Sequence, residues 1–156
     1  MRVAAFGTGF FSTYHYDSWS RIPGIELAGI CVNSNVARGE EFAARYGASR
    51  VYTDPARMLD EAKPDLVDVI TTPESHSDLV GLAVARGIPV ICQKPLAPSF
   101  TEAQAIADLG TRSGTLIVAH ENWRFRPWNR EIGRLLRDGA IGEPYNVTFR
   151  MRPGDG

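Results

Sequence analysis

Residues 2–12 read Arg-Val-Ala-Ala-Phe-Gly-Thr-Gly-Phe-Phe-Ser, and a strand-like pattern gives way to a helical one inside them. Arg2–Phe6 is a short apolar run of strand type. Gly7-Thr8-Gly9 breaks it, and a stretch at helical spacing follows to about Arg21. Strand, glycine turn and helix in this order form a G-x-G-x-x-S variant of the fingerprint that binds dinucleotides. Gly7 permits the tight turn, Gly9 lets backbone approach a pyrophosphate, and Ser12 is small enough for close helix–strand packing. Phe10 and Phe11 stand at the helix entry, where free N–H groups and the positive dipole end favour an anion. A glycine turn with no ligand is the competing reading, and what surrounds the turn weighs against it.

Outward from this turn the alternation continues. Residues 26–32 (ELAGICV) read as a second strand, and Val36–Tyr46 as a helix closed by Gly47. Val51–Tyr52 is a short strand and Pro55–Ala62 a helix stopped by Pro64. A strand is predicted over 66–71 (LVDVIT), a helix over 75–86 capped by Gly87, and a strand over 88–92. Beyond a loop marked by Pro95 and Pro98 come a helix over 101–112, a strand over 115–119, a helix over 127–138 and a last strand over 145–151. Apolar strands separated by helices predict a parallel sheet covered on both faces, a doubly wound α/β (Rossmann) domain. That domain is expected over residues 1–144, with 145–156 starting a second one.

Composition narrows the partners. The 156 residues carry 17 basic and 18 acidic side chains, so nothing electrostatic calls for nucleic acid or an anionic membrane. No apolar run approaches the roughly 18 to 20 residues that span a bilayer. The N-terminus makes a poor signal peptide, so a soluble, cytoplasmic protein is expected. Cys31 and Cys92 lack metal or redox spacing and read as buried free thiols of a reducing compartment. There is no G-x-x-x-x-G-K-[ST], no G-x-S-x-G and no tyrosine four residues before a lysine. His15, His76 and His120 are too scattered in the sequence for a metal site. Arg126, Arg130, Arg134 and Arg137 recur at helical spacing, but Glu131 and Asp138 interrupt them, as on a solvated face.

The end of the second strand bears on the choice of cofactor. An NAD site usually places a carboxylate there for the ribose diol. Here Asn33 and Ser34 occupy that place, and Arg38, one turn into the next helix, is positioned to reach a 2′-phosphate. NAD(P) is the expected cofactor, with NADP favoured over NAD. A solvated Arg38 is the alternative.

Three further segments follow in order: Thr72-Pro73-Glu74-Ser75-His76, Cys92-Gln93-Lys94-Pro95-Leu96-Ala97 and His120-Glu121-Asn122-Trp123-Arg124-Phe125-Arg126-Pro127. With Gly139-Ala140-Ile141-Gly142-Glu143-Pro144 closing the series, the chain resembles the N-terminal half of the glucose–fructose oxidoreductase and inositol dehydrogenase family. The resemblance covers essentially the whole chain. It implies an NAD(P)-dependent oxidoreductase that moves hydride between nicotinamide and a sugar, sugar derivative or inositol-like polyol.

The family's Glu-Lys-Pro looks like Gln93-Lys94-Pro95, which makes Lys94 the candidate catalytic group, able to polarise the reacting oxygen. Gln93 departs from the pattern by removing a counter-charge. The resemblance places Thr72 and Pro73 where backbone passes the cofactor, leaves His76 to touch cofactor or cap a helix, and sets Asn122, Trp123 and Arg124 beside the nicotinamide. An exposed loop lysine, and a core tryptophan with a surface arginine, are the plainer readings. Family members continue into a second domain that supplies a catalytic histidine and the surface of homo-oligomers. The chain is therefore expected to be a piece of a longer protein rather than a reduced remnant. A non-catalytic NAD(P)-binding module or redox-sensing regulator is the alternative function.

Overall fold

The computed structural model describes residues 1–150. Six strands form one parallel sheet in the order β3-β2-β1-β4-β5-β6: β1 Arg2–Phe6, β2 Glu26–Cys31, β3 Val51–Tyr52, β4 Leu66–Val69, β5 Val90–Gln93 and β6 Ile117–His120. Helices α1 Ser12–Arg21, α2 Val36–Tyr46, α3 Pro55–Ala62, α4 His76–Val84 and α5 Phe100–Ser113 connect them. The doubly wound α/β expectation is met. The strand order reverses between β1 and β4, and ligands bind above the carboxyl ends at such a point.

Alternation along β1 explains the two-sided core. Val3 and Ala5 join Tyr16, Leu27, Ile30 and Phe42 on the α1/α2 side. Ala4 and Phe6 join Met58, Leu59, Val67, Val80 and Ile106 on the side of α3, α4 and α5. Both sets are closed to solvent, so β1 reads as a continuous apolar run.

Local chemistry sets the helix ends. Asn35 Oδ1 accepts from the Arg38 N–H at 3.0 Å to open α2, and Gly47, at φ 74°, closes it. Asp54 Oδ1 accepts from the Arg57 N–H at 3.1 Å, with Pro55 in the first turn of α3. Ser99 Oγ accepts from the Glu102 N–H at 3.3 Å to start α5.

Several boundaries differ from expectation. The helix expected over 75–86 is split into a tight 3₁₀ turn, Pro73–Ser75, and α4. Strands β5 and β6 begin two residues later than their apolar runs, because pairing with β4 and with each other sets their ends. The strand expected over 145–151 does not form: residues 145–150 are irregular, and Met151 lies outside the described residues. Tyr145, Val147 and Phe149 alternate as in a strand yet are 99%, 81% and 75% exposed. An alternating segment becomes a strand only when a neighbour accepts its N–H groups.

The chain forms two compact units, the first Met1–His120 and the second from Glu121 onward. The second holds a 3₁₀ turn, Asn122–Phe125, and helix α6, Pro127–Arg137. Arg134 pairs with Glu131 and Asp138 at 2.6 and 2.7 Å, as expected of a solvated face.

Candidate functional site

The turn from β1 into α1 opens a cleft of about 790 Å³ at the carboxyl end of the sheet. Its walls come from residues 7–11, from Asn33, Ser34, Asn35 and Arg38 after β2, and from Thr71, Thr72 and Ser75 after β4. The glycines differ in kind. Gly7 has φ +104°, and a Cβ there would lie 2.9 Å from the Ile70 carbonyl oxygen. Gly9 has nothing within 4 Å of an added Cβ, so it keeps an open cradle beside the helix entry. Tyr16, fully buried, donates its hydroxyl to Gly7 O at 3.0 Å and pins the turn from inside.

Phe11 caps α1 without a side-chain hydrogen bond, leaving the entry to backbone N–H groups. Ser12 is fully buried, and its Oγ has no hydrogen-bond partner among the described residues. These features fit a dinucleotide: an open cradle at Gly9, donors at a helix N-terminus, and polar groups where a ribose would lie.

Among the described residues lining this cleft, Arg38 carries the only charge. Its Nε donates to Thr8 O at 2.6 Å, and its guanidinium lies 5.1 Å from the Phe42 ring centre. Arg38 is exposed, and its hydrogen bond to Thr8 tethers it between the glycine turn and α2. The pairing with Glu41 that a solvated helix would offer is not what it adopts.

Lys94 is exposed at the end of β5, and its Nζ lies 5.7 Å from the ring centre of Phe11, a cleft residue. The structure thus brings the candidate ammonium to the rim of the glycine turn, 83 positions away in sequence by residue number (94 against 11). Phe10, Phe11 and Tyr14 cluster there with ring centres 5.8 to 6.1 Å apart.

Other candidates lie elsewhere. Gln93 is buried and is not among the residues lining the cleft; its Oε1 accepts from the Lys94 N–H at 2.8 Å. Its Nε2 lies 3.0 Å from His15 Nε2 and 3.4 Å from His120 Nδ1. His15 Nδ1 in turn meets Asp68 Oδ2 at 2.8 Å, and Trp19 Nε1 donates to the same oxygen at 2.7 Å. His76 is fully buried, its ring nitrogens 3.1 Å from Leu96 O and 3.2 Å from Thr71 O. It ties the start of α4 to the two loops that flank it. Pro73 opens the 3₁₀ turn whose Ser75 hydroxyl lies 2.8 Å from Thr71 Oγ1.

Asn122, Trp123 and Arg124 belong to the second unit. There Arg126 lies between Trp123 and Trp128, 5.6 and 5.4 Å from their ring centres. Arg124 lies over Phe125 at 5.5 Å. No group of histidines, cysteines and carboxylates able to hold a metal ion occurs among the described residues.

Sequence reasoning missed His15, Asp68 and Tyr16. One signal was available: an aspartate at the centre of LVDV, an otherwise apolar strand, needs an internal partner.

Residues 1–120 match the profile of an oxidoreductase family with an NAD-binding Rossmann fold. A D-apiose dehydrogenase of Paraburkholderia graminis is 40% identical over 149 residues, 94% of this chain and 40% of that protein. A D-apiose dehydrogenase of Rhizobium rhizogenes is 33% identical, across 99% of this chain and 44% of its own length. The crystal structure of an oxidoreductase from Agrobacterium radiobacter, in complex with NAD+, L-tartaric acid and magnesium, superposes with a TM-score of 0.87 at 33% identity. It covers 93% of this chain and 42% of that one. The chain thus spans about two fifths of the length of the relatives it matches.

Proposed function

The chain belongs to the oxidoreductase family with the NAD-binding Rossmann fold, and from that footing we propose that it is the cofactor-holding part of a sugar or polyol dehydrogenase. The observation that carries this reading is Lys94 Nζ at 5.7 Å from the Phe11 ring, on the rim of the glycine-turn cleft. A bound nicotinamide dinucleotide would supply hydride exchange. The chain's own residues would hold it: backbone at Gly7 and Gly9 and the N-terminus of α1 would take the pyrophosphate, and Asn33, Ser34 and Arg38 the adenosine ribose. Thr72, which lines the cleft, and Pro73 next to it would carry backbone past the cofactor. Lys94 would present an ammonium to the carbinol oxygen and stabilise the negative charge that develops there, while the proton passes to the histidine that family members supply from the second domain. Asn122, Trp123 and Arg124, in the second unit, are further cofactor-contact candidates by the family resemblance alone.

Relatives at 40% and 33% identity are D-apiose dehydrogenases, which makes D-apiose the first substrate to try. The complex of the Agrobacterium protein with NAD+ favours NAD, whereas Arg38 and the absence of a carboxylate among the described cleft residues favour NADP. We retain the NADP preference. The first compact unit ends at His120; we keep the cofactor domain at 1–144 and the start of a substrate domain at 145 as part of the proposal, with the longer protein a cytoplasmic homo-oligomer. No helix among the described residues is long and apolar enough to cross a membrane.

Titration with NAD and NADP, followed by turnover assays, tests the reading. The 156-residue chain should bind cofactor but not oxidise D-apiose, and Lys94→Ala in the longer parent should lower turnover about 100-fold with cofactor affinity kept. Normal turnover in that variant would return Lys94 to the status of a loop lysine. A pure binding module is the second reading, favoured by Gln93, which lacks the carboxylate of the family pattern.

A further inference from the structure

We infer that Asp68, His15 and Gln93 form a buried positioning relay that holds the backbone of Lys94. Donor and acceptor counting fixes its polarity. Asp68 is fully buried and lies in β4; its Oδ2 accepts from Trp19 Nε1 at 2.7 Å and meets His15 Nδ1 at 2.8 Å. A carboxylate oxygen only accepts, so a proton sits on His15 Nδ1, and in the neutral ring Nε2 is the acceptor. The Gln93 amide, 3.0 Å away, must then present its NH₂ to that nitrogen. This turns Oε1 to the other side, where the Lys94 N–H donates to it at 2.8 Å. A flipped amide would set oxygen against Nε2 and NH₂ against the Lys94 N–H, losing both bonds.

The groups facing His15 are Asp68 from β4, Gln93 from β5 and His120 from β6, whose ring centre is 4.6 Å away. His15 also accounts for the glutamine. A carboxylate at position 93 would accept from Lys94 equally well, but it would meet Nε2 acceptor to acceptor. Gln93 and His15 are thus matched, and the departure from Glu-Lys-Pro stands compensated inside the fold. That the relay serves catalysis rests on the proposed role of Lys94; the relay itself does not.

The 156-residue chain serves for the test. Long-range ¹H–¹⁵N spectra should show His15 protonated at Nδ1 and bare at Nε2; the opposite tautomer overturns the relay. Hydrogen exchange at the Lys94 amide is read against Val90, whose N–H donates to Leu116 O at 2.9 Å in the same strand. His15→Leu should speed Lys94 exchange about tenfold or more with Val90 unchanged, as Gln93→Leu should. Acceleration in Gln93→Leu but not in His15→Leu would show that Gln93 acts alone, and overturn the relay. Gln93→Glu should restore the contact only by adding a proton at His15 Nε2, giving two similar ring ¹⁵N shifts. Wild-type shifts in that variant would also overturn it. Cofactor titration of the same samples separates the claims: a wild type that binds neither NAD nor NADP sinks the proposed function and leaves the relay untouched.

Discussion

Gly7 and Gly9 share one turn and should respond differently to an added side chain. At Gly9 the space is open and no left-handed φ is required, so Gly9→Val should fold normally by circular dichroism. The same variant fills the cradle and should lose at least about tenfold in NAD(P) affinity, as measured by calorimetric titration. At Gly7 a side chain meets the Ile70 carbonyl and a strained φ, so loss of binding there would be confounded with loss of stability. The cysteines yield a second residue-scale prediction. Burial, with a smaller push from Asp54, raises the Cys31 thiol to about 11; burial, helped by Asp68, raises Cys92 to about 12. Above about pH 9 the unfolded chain sheds these protons while the folded chain keeps them. Their contribution to stability is therefore complete below that pH and is lost as pH climbs towards 11 and 12. Buried Tyr16 acts in the same direction, its phenol held well above its usual range by burial first and by Asp68 next. Melting should fall steadily from pH 9 upward, and a thiol reagent at pH 8 should label neither cysteine before unfolding. Rapid labelling of the native chain would contradict this. The glycines and the thiols were legible in the sequence because their chemistry is local. The His15–Asp68 bond was not, since it joins residues 53 positions apart through the fold.

At the scale of elements, α2 lies unusually close to the sheet. A Cβ at Gly39 would stand 2.7 Å from Val51 Cγ1 and 3.2 Å from Val32 Cγ1. Alanine would gain about 1 kcal/mol in helix propensity. The clash falls on stiff β-branched side chains, however, and overpacking costs about 1–3 kcal/mol. Gly39→Ala should therefore lower the midpoint of urea unfolding despite being the better helix former; a raised midpoint would show that α2 slides outward freely. Nothing in the local pattern VARGEEFAARY distinguishes this glycine from an ordinary weak spot, because its reason lies in β3 and the end of β2. The segment after residue 144 illustrates the converse. Its alternation is clear in sequence, yet Tyr145, Val147 and Phe149 find no strand among the described residues. Periodicity reports which face an element would bury, and pairing depends on what stands beside it.

For the molecule as a whole, the order of strands and helices was readable because apolar runs, caps and glycines agree with one another along residues 2–120. The site was readable in its glycine turn and in Lys94, and less so where distant loops meet, as at His76 and Gln93. Whole-molecule coupling gives a further test of the cofactor: at a hundred times its Kd, NAD(P) should stabilise the first unit by about 2.7 kcal/mol, seen as a raised melting midpoint. The two cores on opposite faces of β1 carry one more consequence. Tyr16, Phe42 and Ile30 belong to one cluster and Met58, Val80 and Ile106 to the other, with the sheet between the two groups. Defects on one side should then leave the other side's packing undisturbed, so that Phe42→Leu and Ile106→Val combine with a stability loss equal to their sum within about 0.5 kcal/mol. The sheet acts as a bulkhead: each compartment can drift in sequence on its own schedule, while the glycine turn, anchored in β1 between them, keeps its shape.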